Sequence, residues 1–305
     1  VNETAIVTLK AVAYLALVLF ASPLLEGVMR KVKAIVHSRK GPPIIQPYLD
    51  LAKLLVKEDV VSEPGTVARF APPAAFACVL ASAFFVPFGV SAPAGSAGDL
   101  LVFIYLVTLS TSCVMAAGLA QSSPFSHLGS SREMMMLITA EAVVVISLLG
   151  VAVGGHGALL SGLAVSGFRW SSLVGLCCYL LAMQALLGKL PFDIPEAEQE
   201  LMEGPFIEYS GPSLALFKWT FYMKQLVFGS LFFNLFVGWP RVTGGSVAGA
   251  LLNFAVNFVA VLVLSLVVVL IDATNPRVRI DQSLRFFGGL IGVAALGVGL
   301  AALGF

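Results

Sequence analysis

Six carboxylates fall within sixteen residues: Asp193, Glu196, Glu198, Glu200, Glu203 and Glu208. No lysine or arginine interrupts them. A helix opened at Pro195 would place Glu196, Glu200 and Glu203 on one face, at spacings of four and three. Like charges so arranged repel. Repulsion and partial desolvation raise a carboxyl's pKa toward neutrality, where it exchanges protons readily. Such a cluster stores and passes protons; equally, it is a solvated acidic helix that meets a basic partner surface. The residues alone leave both readings open.

A second kind of acid is embedded in apolar sequence. Glu141 lies inside the run 134–153, between Thr139-Ala140 and Ala142. An ionised carboxylate at that depth costs roughly 2.5–3.5 kcal/mol on insertion scales. It is expected to face the bundle interior or water, and to be protonated or paired, either for proton transfer or as a packing hydrogen bond. Arg132 and Glu133 stand at the mouth of the same run. Lys224 lies about a turn and a half into another, where it either snorkels outward or pairs with a buried acid. Glu26 and Asp272 sit at the ends of apolar runs, within reach of headgroup water.

Other chemistries lack their residues. His37, His127 and His156 are dispersed, with no acid or cysteine at ligand spacing. Cys78, Cys113, Cys177 and Cys178 lie in apolar stretches without a CxxC pattern and read as small buried hydrophobes. There is no phosphate-binding glycine loop, dinucleotide fingerprint or nucleophile elbow. The chain is therefore expected to hold no nickel, iron–sulfur or flavin centre, and any redox cofactor belongs to partners.

The elements that must position these acids are membrane helices. The 305 residues are 58% hydrophobic and only 11% charged, against about 25% charged in a soluble domain. With 18 Lys+Arg and 17 Asp+Glu there is no basic footprint for nucleic acid. A span needs roughly 20 apolar residues, and eight candidates recur: 5–25, 71–90, 100–120, 134–153, 171–188, 219–239, 247–271 and 286–304. The first is read as a retained helix, because Ser22–Glu26 is a poor cleavage site. Pro72-Pro73 suits the first turn of the second. The fold expected is all-α, a single polytopic membrane domain over 1–305. Connections 26–70, 121–133, 189–218 and 272–285 carry fourteen of the Lys/Arg residues, and the opposite set only Arg169 and Arg241. By the positive-inside rule the first set is cytoplasmic and both termini are outside.

The first connection has its own character. Glu26, Arg30, Lys31, Lys33, Arg39 and Lys40 precede the helix-breaking Gly41-Pro42-Pro43. Then 47–59 puts Tyr48, Leu51 and Leu55 on one face and Asp50, Lys53 and Lys57 on another. A short amphipathic helix of this kind lies on a membrane surface or under a partner. The plainer alternative is a basic loop that only sets topology.

Several stretches together resemble the H-type membrane subunit of respiratory complex I and its relatives in membrane-bound [NiFe] hydrogenases. Pro191-Phe192-Asp193, Glu196-Ala197-Glu198 and Glu208-Tyr209-Ser210-Gly211 resemble the family's signature loop. Lys53–Asp59 with Ala71-Pro72, Arg39-Lys40-Gly41-Pro42, and Gly129–Arg132 followed by Glu141 resemble its other motifs. Ser123-Pro124-Phe125, Ser131–Met134, Gly188–Pro191 and Glu198–Pro205 are most similar to the formate hydrogenlyase and hydrogenase-4 type branch of the group 4 hydrogenases. One position departs: Leu186 stands where relatives commonly carry a glutamate before Pro-Phe-Asp. The resemblance implies a subunit of an oxidoreductase complex in the inner membrane that anchors an electron-transfer arm and contributes to energy conversion. Its docking residues would be Arg39, Lys40, Lys53, Lys57, Glu58, Asp59, Arg132 and Lys189. Asp193, Glu196, Glu198, Glu200, Glu203, Glu208, Glu141 and Lys224 would carry proton translocation. The partners implied are a hydrogenase large subunit with the [NiFe] centre, an iron–sulfur subunit and antiporter-like membrane subunits. The competing readings are a quinone-site subunit and a stand-alone ion transporter.

Overall fold

The computed structural model describes residues 3–60, 65–89, 92–93, 100–155, 169–237 and 247–304. His156 and Arg241 lie outside them, as does most of the loops assigned to the outer side. Every regular element among the described residues is helical: α1 (Glu3–Val36), α2 (Gln46–Val56), α3 (Thr66–Ala83), α4 (Leu100–Leu119), α5 (Pro124–Met136), α6 (Ala142–Gly155), α7 (Trp170–Leu186), α8 (Glu198–Leu201), α9 (Gly211–Phe232), α10 (Val247–Thr274) and α11 (Ile280–Ala302). A π-helical turn, Leu137–Glu141, joins α5 to α6, and a second, Phe233–Val237, extends α9.

Seven stretches among the described residues are long and apolar enough to cross a membrane: α1, α3, α4, α9, α10, α11 and the continuous run of α5, the π-turn and α6 over Pro124–Gly154. The run expected at 171–188 is α7, 17 residues long and shorter than the others. Helix α9 is the hub: its Met223, Leu226, Val227, Phe228 and Leu231 are buried in the main core, where Tyr179 of α7 donates to Phe228 O at 3.0 Å.

Several expected boundaries shift, because helices continue into the polar connections. α1 runs to Val36, so Glu26, Arg30, Lys31 and Lys33 are helical rather than in a loop. α3 starts at Thr66, which puts Pro72 and Pro73 inside the helix instead of in its first turn. The 121–133 connection is mostly α5, and the 189–218 connection ends where α9 begins at Gly211. Of the cysteines, only Cys178 is buried, and Cys177 is exposed.

The prolines inside helices explain how distant segments dock. A helical proline lacks the N–H that would bond the carbonyl four residues back. Pro23 of α1 thus frees Leu19 O, and Ser22 Oγ (3.2 Å) and Trp219 Nε1 of α9 (3.2 Å) donate to it. Tyr48 of α2 donates to the neighbouring Phe20 O. Pro72 frees Ala68 O in α3 in the same way, and the buried Tyr209 hydroxyl lies 3.0 Å from it and 3.3 Å from Ala117 O. Aromatic donors satisfy carbonyls that a bilayer would leave bare.

Glycines seat the acidic connection. Gly118 of α4 and Gly129 of α5 form a notch that receives Gly204-Pro205. A Cβ at Gly129 would fall 2.8 Å from Gly204 Cα and 2.8 Å from Pro205 Cδ. At Gly118 it would collide with Ser130 Oγ and lie 3.1 Å from Pro205 Cα. Gly129→Ala is therefore expected to cost about 1–3 kcal/mol by overpacking and to loosen the 189–210 segment. Thermal unfolding in detergent, with limited proteolysis of that segment, checks this; an unchanged melting curve and cleavage rate would remove the notch from the account.

Candidate functional site: a charged chamber under the acidic connection

The acidic connection does not form the helix expected from Pro195. Its only α-helical turn is α8, four residues long. Met202 and Glu203 take left-handed φ of 50° and 73°, and Gly204 follows at 53°. Leucine-poor, proline-interrupted sequence cannot sustain a helix here, and burial of Pro195, Ala197, Leu201 and Pro205-Phe206 dictates the path instead. Glu196, Glu200 and Glu203 consequently share no face. Glu200 points outward to Arg132 of α5 at 2.8 Å, a bond that lowers its pKa. Glu196 turns inward. Glu203 is exposed but borders the chamber. Glu198 opens α8, and its side chain lies outside the described residues. Glu208 is half-buried at the far end, beside Tyr209.

Beneath this connection is a cavity of about 290 Å³ bounded by α1, α9 and the connection. One wall is charged: Glu26, Arg30, Lys189, Glu196, Glu203 and Lys218. The other is aromatic: Phe206, Phe217, Phe221 and Tyr222. The charges are tied into a ladder. Arg30 bonds Glu26 at 3.0 Å, Asp50 of α2 at 3.1 Å and the Tyr222 hydroxyl at 2.8 Å. Lys189 reaches the other oxygen of Glu26 at 3.5 Å. Lys33 pairs with Asp272 at 2.5 Å, and Asp272 accepts from the Leu190 backbone N–H at 3.0 Å. Asp193 pairs with Arg277 at 3.0 Å. Glu26 and Asp272, expected at headgroup water, are instead 7% and 5% exposed and hold the connection's first residues in place.

This packing sets the electrostatics. Burial, reinforced by Asp193 and Glu133, pushes Glu196 up to about 8, against partial relief from Lys189. Burial also raises Asp193, with Arg277 opposing. For Lys189 burial acts downward, but Glu26, Asp272 and Glu196 outweigh it and hold the ammonium firmly protonated. A carboxyl that titrates near neutrality thus stands at the chamber wall beside a permanent cation.

Two of the expected intramembrane groups lie below. Lys224 does not snorkel: it is 3% exposed, and its ammonium donates to Thr111 Oγ1 of α4 at 2.9 Å. Its charge acts on Glu133, Glu141 and Glu196, with no carboxylate within ion-pair distance among the described residues. Glu141 closes the Leu137–Glu141 π-turn, is half-buried, and accepts from Thr108 of α4. The π-turn widens the helix where this acid projects. At the departing position, Leu186 packs against the core, while Gln184 is buried and donates to Leu190 O at 2.6 Å.

The expected docking residues are distributed more widely. Arg39, Lys40, Lys53, Lys57, Glu58 and Asp59 are exposed. Asp59 reaches the start of α9, accepting from Ser213 at 2.6 Å, while Ser210 bonds the Val60 backbone at 3.0 and 3.2 Å. Lys189 belongs to the ladder already described, and Arg132 pairs outside it with Glu200. Sequence reasoning missed Arg30, Lys33, Asp50, Tyr222 and Arg277 as site residues. The Glu26/Arg30 spacing of four on a helix was the available signal. Among the described residues no group of three His, Cys, Asp or Glu side chains is placed to hold a metal ion.

Comparison with known proteins agrees with this architecture. A family model described as NADH dehydrogenase matches residues 9–302. Formate hydrogenlyase subunit 4 of Escherichia coli K12 is 34% identical over 92% of this chain and 94% of its own length. Hydrogenase-4 component C of the same organism is 35% identical over 88% of each. The H subunit of the NADH-quinone oxidoreductase of Brevibacillus brevis is 33% identical over 82% of this chain and 76% of its own. A chain in the solved structure of the membrane-bound sulfane sulfur reductase, an archaeal respiratory membrane complex, superposes with a TM-score of 0.87 at 26% identity, covering 97% of this chain and 99% of that one. The chain is a multi-pass membrane protein, and it belongs to the NADH dehydrogenase family of membrane subunits, the H type of complex I.

Proposed function

We propose that this chain is the membrane-anchoring and energy-coupling subunit of a membrane-bound [NiFe] hydrogenase. It docks the hydrogenase arm over the acidic connection and links the arm's redox reaction to translocation of protons or sodium ions. The observation that carries this reading is the charged chamber beneath the connection, with Glu196 on its wall; in this reading the path continues to the buried Lys224 and to Glu141 inside the bundle. The hydrogenase branch is favoured because formate hydrogenlyase subunit 4 and hydrogenase-4 component C match at higher identity, 34–35% against 31–33%, and over more of their own length, 88–94% against 76–86%, than H subunits of NADH-quinone oxidoreductases do.

In this reading α7 is an eighth span, within the shortest length that crosses a bilayer, and α2 is an amphipathic surface helix with Leu51 turned inward. The protein lies in the inner membrane, with the basic connections cytoplasmic and both termini outside. The large subunit and the iron–sulfur subunit sit on the cytoplasmic face and hold the [NiFe] and iron–sulfur centres; antiporter-like subunits flank the bundle. Charge rearrangement in the arm shifts the proton affinity of Glu196 and Asp193, and the fixed cations Lys189 and Arg277 set the resting state. A quinone-site role is the second reading, supported by the aromatic wall of Phe206, Phe217 and Phe221. Metal analysis of the purified assembly separates the two: one nickel per assembly and hydrogen evolution from reduced viologen are expected, whereas a nickel-free assembly that reduces quinone would overturn the proposal.

Two further outcomes follow. Glu141→Gln should abolish ion translocation driven by hydrogen turnover in proteoliposomes while leaving dye-linked hydrogenase activity intact. Translocation at the wild-type rate would remove Glu141 from the path. Glu196 should carry its proton in the folded protein at pH 7 and release it with a midpoint of about 8. An unfolded glutamate ionises near its ordinary 4.5, so the folded state binds more protons between these values and its stability falls as pH rises through that window. Infrared spectroscopy should show a protonated carboxyl band disappearing around pH 8 in the wild type and missing in Glu196→Gln; a band unaffected by the substitution belongs to another acid.

A further inference from the structure

Helices α7, α10 and α11 leave a groove between them that the coupling path does not use. Its volume is about 700 Å³, more than twice that of the charged chamber at about 290 Å³. The walls are almost wholly aliphatic and aromatic, and Leu181, Val267 and Phe286 on them are 37–47% exposed. The groove therefore opens outward, to where the bilayer must lie, and is large enough for a small-molecule ligand. It ends beside the acidic connection, at Val278. That residue also lines a second, polar cavity of about 390 Å³, where Arg132, Arg277 and Arg279 outnumber the carboxylates Glu200 and Asp281. Arg132 is committed to Glu200. Arg277 bonds Asp193 through Nη2, but its Nε is buried and has no hydrogen-bond partner.

An apolar slot that meets, at one residue, a cavity with three arginines against two carboxylates matches an amphiphile with a negative head. Basic pockets between transmembrane helices are a recognised way to hold anionic headgroups. We propose that this groove binds an anionic phospholipid of the surrounding bilayer, its acyl chains between α7, α10 and α11 and its phosphate at Arg277 and Arg279. A partner's transmembrane helix fits less well. An apolar helix would leave the arginines without an anion. The site would also brace the coupling segment. Pro191 and Phe192 line the groove, Phe192 packs on Phe286 and Phe287 at centroid distances of 5.6 and 4.8 Å, and Arg277 holds Asp193. The inference does not depend on which redox arm docks above.

The test is native mass spectrometry of the intact membrane assembly, purified from its own membrane and then exchanged into bilayer discs of equal phosphatidylglycerol and phosphatidylethanolamine. The wild type should retain one phosphatidylglycerol in preference to phosphatidylethanolamine after detergent release. Arg279→Gln should lower that retention about five-fold, the worth of one arginine near an anionic headgroup, and Arg279→Lys should preserve it. Val267→Trp, which fills the slot, should displace the lipid; if that variant does not assemble, Cys177→Phe reads the same wall. Equal retention of both lipids would overturn the proposal. So would unchanged retention in the slot-filling variant, or a partner helix seated in the groove in an experimental structure of the assembly.

Discussion

The structure depends on one constraint: an ionised side chain inside a helical bundle must find a counter-charge or a hydrogen bond, because lipid supplies neither. Glu26, Asp272 and Lys224 are each 7% exposed or less, and each is answered differently. Glu26 is clasped by Arg30 and Lys189. Asp272 is answered by Lys33 and by a backbone N–H. Lys224 has a hydroxyl and no close carboxylate among the described residues. The first two arrangements are closed, and their value lies in position rather than in net stability, since buried pairs gain little over apolar packing. They fix where residues 188–193 leave the membrane. The third is open, and an incompletely answered cation is what lets a charge change elsewhere be felt.

That distinction separates scaffold from the proposed path. Arg30 holds three partners on three elements, so its movement would disturb α1, α2 and α9 together. Glu196, by contrast, is held by the shape of its segment: the left-handed turn at Met202–Gly204 and the seat formed by Gly118 and Gly129. A group positioned by backbone rather than by an ion pair can change protonation without losing its place. In the proposed coupling role, the segment is rigid at both ends, at Asp272 and Arg277 before it and at Tyr209–Gly211 after it, and responsive between them.

Much of this is legible in the sequence. Apolar runs locate the helices, and the density of acids picks out 193–208 as the segment with chemistry. Glu141 stands out because a carboxylate amid valines and alanines needs a reason. The failures have physical causes. Polarity suggests that the first helix ends near residue 25, yet α1 carries Glu26, Arg30 and Lys33 on a face that pairs with α2, α9, α10 and the acidic connection, so polarity there marks a contact face and not a boundary. Helical spacing at Glu196, Glu200 and Glu203 predicts a shared face, but Pro195 and Pro205, with the burial of Ala197 and Leu201, bend the chain away from a helix. Lys224 is ambiguous because a lysine near a span end is equally able to snorkel, and only the extra turns of α9 from Gly211 put it too deep. Arg277 and Asp272 carry no local signal, since their partners are 84 and 82 residues away.

Proline gives these observations a common origin. Pro23 and Pro72 each break one helical hydrogen bond, and each freed carbonyl becomes the anchor for a segment distant in sequence: Trp219 at Leu19, Tyr209 at Ala68. Tyr209 closes the acidic connection, and Trp219 sits one turn before the chamber residue Tyr222. The prolines therefore convert an internal defect of a membrane helix into a specific attachment point for the parts of the chain that carry charge. An unkinked helix would offer only aliphatic surface, against which a polar connection has nothing to register. A bundle that holds carboxylates at fixed places between its helices has reason to keep those helices imperfect at these two positions.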